Sequence, residues 1–268
     1  MKLPIRSAIS LAFAFALSSQ FASDVPSLAK GRWIDLTHSF SKETIYWPTA
    51  EGFVLSVEAK GMTPKGYFYS ANHYAASEHG GTHLDAPVHF AEGHQSVDQI
   101  PLDHLTGPAV VVDVSKKTAA NPDYQISVGD FTDWEKQHGK IPEHSIVLLN
   151  TGFAKKWPNA EAYLGTAGKG TNAVEKLHFP GLDPKAAEWL ISARRLKAVG
   201  LDTASIDFGQ SKLFETHRLL FQHEVPAFEN VANLDQLPIR GSYVVALPMK
   251  IQEGSGAPLR IIALVGQK

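Results

Sequence analysis

The sequence predicts an α/β protein with a compact, strand-rich core and flanking helices. Three observations carry this. The continuous apolar runs Ala109-Val110-Val111-Val112-Asp113-Val114 and Ser145-Ile146-Val147-Leu148-Leu149-Asn150 fit strands buried on both faces. Helical stretches open on helix-start signals, Ser127 with Asp130 in one and Asp183-Pro184 in another. Strands outnumber helices and are interrupted by them irregularly, which argues against a regular Rossmann alternation.

A chain of 268 residues, 44% hydrophobic and 19% charged, describes an ordinary globular protein with a sizeable core. The formal net charge of −2 gives no reason to expect nucleic acid or an anionic membrane as partner. With no cysteine, disulfides, thiolate metal sites and a cysteine nucleophile are all excluded. Any metal must therefore be held by nitrogen and oxygen.

Lys2 and Arg6 precede an apolar run from Ala8 to Leu17, which exits through Ser18-Ser19-Gln20-Phe21-Ala22-Ser23. This pattern reads as a secretory signal peptide over residues 1–23, cleaved near Ser18 or Ala22, and the run is too short to span a bilayer. The expected mature chain, residues 24–268, is a single domain without a membrane span, exported to a periplasm or secreted. A buried N-terminal helix is the competing reading.

Trp33-Ile34-Asp35-Leu36 reads as the first strand, and Ile45-Tyr46-Trp47-Pro48 as a loop edge closed by proline. Phe53–Val57 and Tyr67–Ser70 read as strands separated by a Gly/Pro-rich turn. Pro101–Leu105 is a short polar–apolar element, and a helix runs from Ser127 to about His138. Residues 153–179 are polar, with glycines at 165, 168 and 170, and read as an excursion over the surface and a candidate lid. A helix through Arg195 buries Ala187, Leu190 and Ile191, and a strand follows at 196–202. A helix over Lys212–Gln222, a strand through Phe228, and strands at 243–247 and 260–265 complete the chain.

The chemistry concentrates in His79-Gly80-Gly81-Thr82-His83-Leu84-Asp85-Ala86-Pro87-Val88-His89. Imidazole and carboxylate together suit zinc, manganese or iron. A straight strand would put His79 and Asp85 about 20 Å apart, at roughly 3.3 Å per residue. Two ligands of one metal have Cα atoms at most about 12–13 Å apart. The backbone must therefore fold back, and Gly80-Gly81 is where it can do so without a Cβ penalty. A bent strand or strand–turn with a metal on its concave side is expected. A histidine-rich surface loop is the bland alternative.

Other residues say less by themselves. His89, about 13 Å beyond Asp85 on a straight strand, suits either a general acid/base of near-neutral pKa or a third histidine ligand. His217 lies on the apolar stripe of Leu213, Phe214, Leu220 and Phe221, where a satisfied core histidine is the ordinary reading. Glu229 is a carboxylate inside an apolar run and needs a partner. Trp47, before a proline, is either packing or substrate contact. Tyr46, Tyr67, Phe68, Tyr69 and Tyr74 could wall an aromatic pocket or fill a core.

The stretch matches the pattern His-x-Gly-Thr-His-x-Asp-x-Pro-x-His at all seven fixed places. In this the chain resembles the cyclase-like metal-dependent hydrolases, which include bacterial kynurenine formamidases and isatin hydrolases. The resemblance extends to Trp47-Pro48, Asn150-Thr151-Gly152, Gly200 through Asp207, and His217 through Asn230. It implies a β-barrel-like core and His79, His83 and Asp85 as first-metal ligands, with Asp85 able to bridge. It further implies that His217 and Glu229 complete a second site, that His89 is the catalytic acid/base and that Trp47 contacts substrate. The implied activity is hydrolysis of an aryl amide C–N bond with one or two Mn2+ or Zn2+ ions, in a homodimer. The segments at 47–52 and 229–238 look more like the isatin hydrolase branch, so isatin-type lactams rank ahead of N-formylkynurenine. A non-catalytic exported metal-binding protein would use the same ligands.

Overall fold

The structure, a computed structural model, describes residues 30–266; the expected signal peptide at 1–23 lies outside the described residues. In chain order the strands are β1 (Gly31–Asp35), β2 (Val54–Met62), β3 (Phe68–Ala75), β4 (His83–Asp85), β5 (Thr106–Asp113), β6 (Gln125–Ile126), β7 (Ile146–Asn150), β8 (Gly181–Leu182), β9 (Ala198–Leu201), β10 (Ala227–Glu229), β11 (Ser242–Pro248) and β12 (Gly256–Gly266). The longer helices are α1 (Val128–His138), α2 (Pro184–Arg194) and α3 (Glu215–Gln222). Among the described residues no helix is long and apolar enough to cross a membrane.

Seven strands close into a barrel in the order β12-β11-β5-β7-β9-β10-β4 and back to β12. The arc β5-β7-β9-β10 is parallel, and the joins through β4, β12 and β11 are antiparallel. Gly256–Pro258 of β12 pairs with β4, and the far end of the same strand pairs with β1. This is the barrel-like α/β core that the sequence and the resemblance led us to expect.

The period of two along each strand separates two environments. Ala109, Val111, Ile146, Leu148, Leu84 and Phe228 pack together inside the barrel. Their neighbours Val110, Val112, Val147, Leu149 and Ala227 belong to a second core, shared with Phe131 and Trp134 of α1, Leu190 of α2, and Leu220 and Phe221 of α3. Strands covered on both faces explain the unbroken apolar runs. At Gly200 the interior side chains approach the backbone closely. A Cβ there would lie 2.9 Å from Leu148 Cδ2 and 3.2 Å from Phe228 Cβ.

The helix starts follow their sequence signals. The Ser127 N–H donates to Asp130 Oδ2 at 2.8 Å to cap α1, and the Lys185 N–H donates to Asp183 Oδ1 at 2.7 Å ahead of α2. The third helix is shorter than expected. Phe214 adopts φ 48°, so α3 starts at Glu215, and Leu213 is exposed rather than part of its buried stripe.

Residues 153–179 also differ from expectation. They form short helical turns, and Phe153, Tyr163, Leu164, Leu177 and Phe179 build a third core with Ile45. These core residues fall at irregular intervals among alanines, glycines and charged residues, so no readable period marks the segment as packed.

The β2–β3 hairpin stands apart from the barrel. Val54, Leu55, Val57, Met62, Tyr67, Phe68, Tyr69 and Tyr74 are all exposed on or beside it. Of Tyr46, Tyr67, Phe68, Tyr69 and Tyr74, only Tyr46 lines the cavity described below.

Candidate metal centre

The chain reverses between His79 and Asp85 at the paired glycines. Gly81 takes φ +59°, and the Tyr46 ring lies so close over Gly80 that a Cβ would come within 2.0 Å of it. The fold-back brings His79 Nδ1 to 2.7 Å from Asp85 Oδ1. Beyond the turn, β4 points Leu84 into the barrel and His83 and Asp85 toward the helices. β10 runs antiparallel beside it with Glu229 directly opposite His83. His83 Nε2 lies 3.0 Å from Asp85 Oδ1 and 3.5 Å from Glu229 Oε2.

From α3, His217 reaches the same point. Its Nε2 lies 3.2 Å from Asp85 Oδ2 and 3.3 Å from Glu229 Oε1. Its Nδ1 lies 2.6 Å from Asp207 Oδ2, and Asp207 also accepts the backbone N–H groups of Thr216 and His217. His217 is thus a buried polar group aimed at the cluster rather than a residue of the apolar stripe.

His89 is closer than a straight strand allows. Pro87–His89 forms one 3-10 turn, which stacks the His89 ring on His79 at a centroid separation of 3.8 Å. The donor atoms fall into two groups that share Asp85: His83, Asp85 and Glu229 in one, His79, Asp85 and His89 in the other. The resemblance had grouped His79 with His83 instead.

Electrostatics reflect this crowding. Burial opposes a charge on His83, but Asp85 and Glu229 outweigh it and push the pKa up to about 9. Burial likewise opposes a charged His217, and hydrogen bonds to Asp207, Asp85 and Glu229 hold it well above the usual range. Asp85 is buried but held well below the carboxylate range by His79 and His83, whereas burial and the negative Asp85 push Glu229 up. For His89, burial and then the neighbouring imidazoles outweigh the attraction of Asp85 and push the pKa down to about 3. The balance at His89 thus lies below the near-neutral pKa expected from the sequence.

These residues fit a divalent ion. His83 Nδ1 donates to the Gly81 carbonyl at 2.9 Å and His217 Nδ1 is taken by Asp207, so both Nε2 atoms are left for one space between two carboxylates. Such an all-nitrogen and oxygen set suits zinc or manganese.

The cluster lies in the wall of a cavity of about 290 Å³ that Tyr46, Trp47, Phe90 and Phe214 also line. Trp47 meets Phe179 and Phe214 at ring separations of 6.4 and 6.3 Å, so it both packs and lines the cavity. The family model named Cyclase matches residues 34–208. The chain belongs to the Cyclase family. An isatin hydrolase from Roseibium aggregatum is 33% identical over 75% of this chain and 76% of its own length. A kynurenine formamidase from Bacillus cytotoxicus is 28% identical over 86% of this chain and 96% of its own. The solved structure of isatin hydrolase A from Labrenzia aggregata, bound to benzyl benzoate, superposes with a TM-score of 0.80 at 33% identity, covering 94% of this chain and 98% of that one.

Within this Cyclase fold several supporting residues escaped the sequence reading. Asp207 orients His217, Ser255 Oγ lies 2.9 Å from His79 Nε2 while donating to Glu78 Oε2 at 2.7 Å, and Phe90 and Phe214 wall the cavity. Adjacency to His89 was the available signal for Phe90; Ser255, 176 residues from His79, offered none.

Proposed function

We propose that the chain hydrolyses the C–N bond of a small aromatic amide, using one or two divalent ions, manganese or zinc. Isatin-type cyclic amides rank first and N-formylkynurenine second. One observation carries this reading: the Asp85-centred donor cluster opens into a cavity walled by aromatic rings, so an aryl ring and its carbonyl meet the donors together.

His83, Asp85, His217 and Glu229 would hold an ion, and His79 with Asp85 offers a second position. A bound ion supplies Lewis acidity toward the carbonyl and acidifies water. His89, stacked on His79 and close to Asp85, takes a proton from the attacking water and returns it to the departing nitrogen. Water's oxygen joins the carbonyl carbon, the C–N bond breaks, and an acid and an amine result. Trp47 and Phe214 hold the ring of the substrate.

Ultraviolet assays of manganese- or zinc-loaded protein on isatin and on N-formylkynurenine test the substrate. Turnover of isatin above N-formylkynurenine is expected. Turnover of neither removes the substrate assignment, and bound metal without hydrolysis favours the binding-protein reading. His89→Ala should keep its metal and lose about 10²–10⁴-fold in turnover. Unchanged hydrolysis would sink the role given to His89.

The proposal includes export, one mature domain over residues 24–268, and a homodimer. The apolar β2–β3 hairpin supports the dimer, because an isolated two-stranded ribbon with both faces wet is marginal at best. Sedimentation should give a dimer that Val57→Lys with Phe68→Lys dissociates. N-terminal sequencing of exported protein should start near residue 19 or 23.

A further inference from the structure

Tyr163 belongs to the segment 153–179, is fully buried, and touches none of the donor atoms. Its hydroxyl donates to Asn230 Oδ1 at 2.9 Å, with the Asp202 carbonyl 3.1 Å away. Asn230 Nδ2 in turn donates to the Gly81 carbonyl at 2.8 Å. That same carbonyl accepts His83 Nδ1–H at 2.9 Å.

The amide of Asn230 could sit either way round on shape alone. Turned over, it would set two oxygens, Oδ1 and the Gly81 carbonyl, 2.8 Å apart with no proton between them. It would also bring Oδ1 to the place from which Nδ2 now lies 3.5 Å from His83 Nδ1, as a rival acceptor for the imidazole. The Gly81 carbonyl, which can only accept, selects the first arrangement, and the Tyr163 hydroxyl supplies the donor that Oδ1 then needs. The backbone of Asn230 is fixed as well, at φ 53°, with its carbonyl accepting Thr82 Oγ1 at 2.7 Å.

We propose that Tyr163 and Asn230 are positioning residues: through the Gly81 carbonyl they hold the His83 ring with Nδ1–H turned outward and Nε2 turned to the metal. The proposal rests on the metal-centre reading. It gives the segment 153–179 a task beyond packing its own core, since that core now reaches a candidate ligand through two hydrogen bonds and one shared carbonyl. Partners of this kind fix ring orientation and ligand basicity.

Tyr163→Phe removes a single oxygen. Titration of metal-free protein with zinc or manganese by calorimetry should show affinity about 10–100-fold weaker than wild type. The visible absorption of the cobalt-loaded variant should shift, because the ligand field at His83 changes. A purely structural role would instead lower the melting temperature of metal-free protein and leave the cobalt spectrum alone. Asn230→Gly, which keeps a backbone suited to positive φ, should weaken binding in the same direction and decides the matter should Tyr163→Phe fold poorly. Wild-type binding that both variants match within about twofold, with unchanged cobalt spectra, overturns the relay alone. Wild type that takes up none of these metals overturns the metal-centre reading, and the relay with it.

Discussion

The two faces of β4 and β10 belong to different molecules in all but covalent structure. On one face Leu84 and Phe228 sit in the dry barrel interior. On the other, His83, Asp85 and Glu229 meet under α3. Each strand has three residues, so the step from core to chemistry is a single residue and about 3.3 Å of chain. The antiparallel register that sets Glu229 against His83 also sets Phe228 against Leu84. Barrel packing therefore fixes the geometry of the donor cluster, and a register slip would invert both faces together.

The largest effect should come from the chemical face. Asp85→Asn keeps the shape but removes the charge shared by both donor groups, so metal loading and hydrolysis should fall by well over the ~100-fold typical of outer partners. Metal analysis and kcat/KM check this; retained metal would show that Asp85 is not central. The interior face should respond oppositely. Phe228→Ala should cost about 3–5 kcal/mol in denaturant unfolding while leaving metal stoichiometry near wild type in the folded fraction. An equal loss of metal would mean that the two faces cannot be separated.

Gly200→Ala presses a methyl on Leu148 and Phe228 and should cost about 1–3 kcal/mol, again without touching metal affinity. At the cavity rim, Trp47→Ala should raise KM about tenfold, equivalent to ~1.4 kcal/mol of lost contact, with a smaller change in kcat.

The smallest effect is a pH slope. Burial beside Trp157 pushes His38 down to about 4 from its ordinary 6.5. Between those values the unfolded chain binds the extra proton, so stability rises with pH there, is complete above about 6.5 and is lost as pH falls toward 4. His38→Gln should flatten the difference between melting temperatures at pH 5 and pH 7; an unchanged difference would show that His38 is not its source.

The sequence was most legible where physics is local. The glycine pair forces a reversal that one can compute from strand rise alone, and the caps at Ser127 and Asp183 mark helix starts by their own side chains. His217 and Glu229 needed the resemblance, because a buried histidine or carboxylate looks alike whether it meets a metal or a protein partner. Ser255 and Asn230 act across separations of 176 and 149 residues, which no spacing reveals. The segment 153–179 misled because its apolar residues pack without a period. His89 was assigned a near-neutral pKa because its burial among other imidazoles is a tertiary fact.

β12 is the last strand in the described chain, and it carries Gly256–Pro258 against β4 with Ser255 beside His79. During synthesis the His79–His89 segment emerges early and stays without that edge until the final strand has been made. Long-range pairings of this kind form slowly. The centre should therefore be assembled late, and metal loading should report the docking of β12. Until the barrel shuts, the same histidines would be exposed to any metal present, so the timing of folding decides which ion the protein first meets.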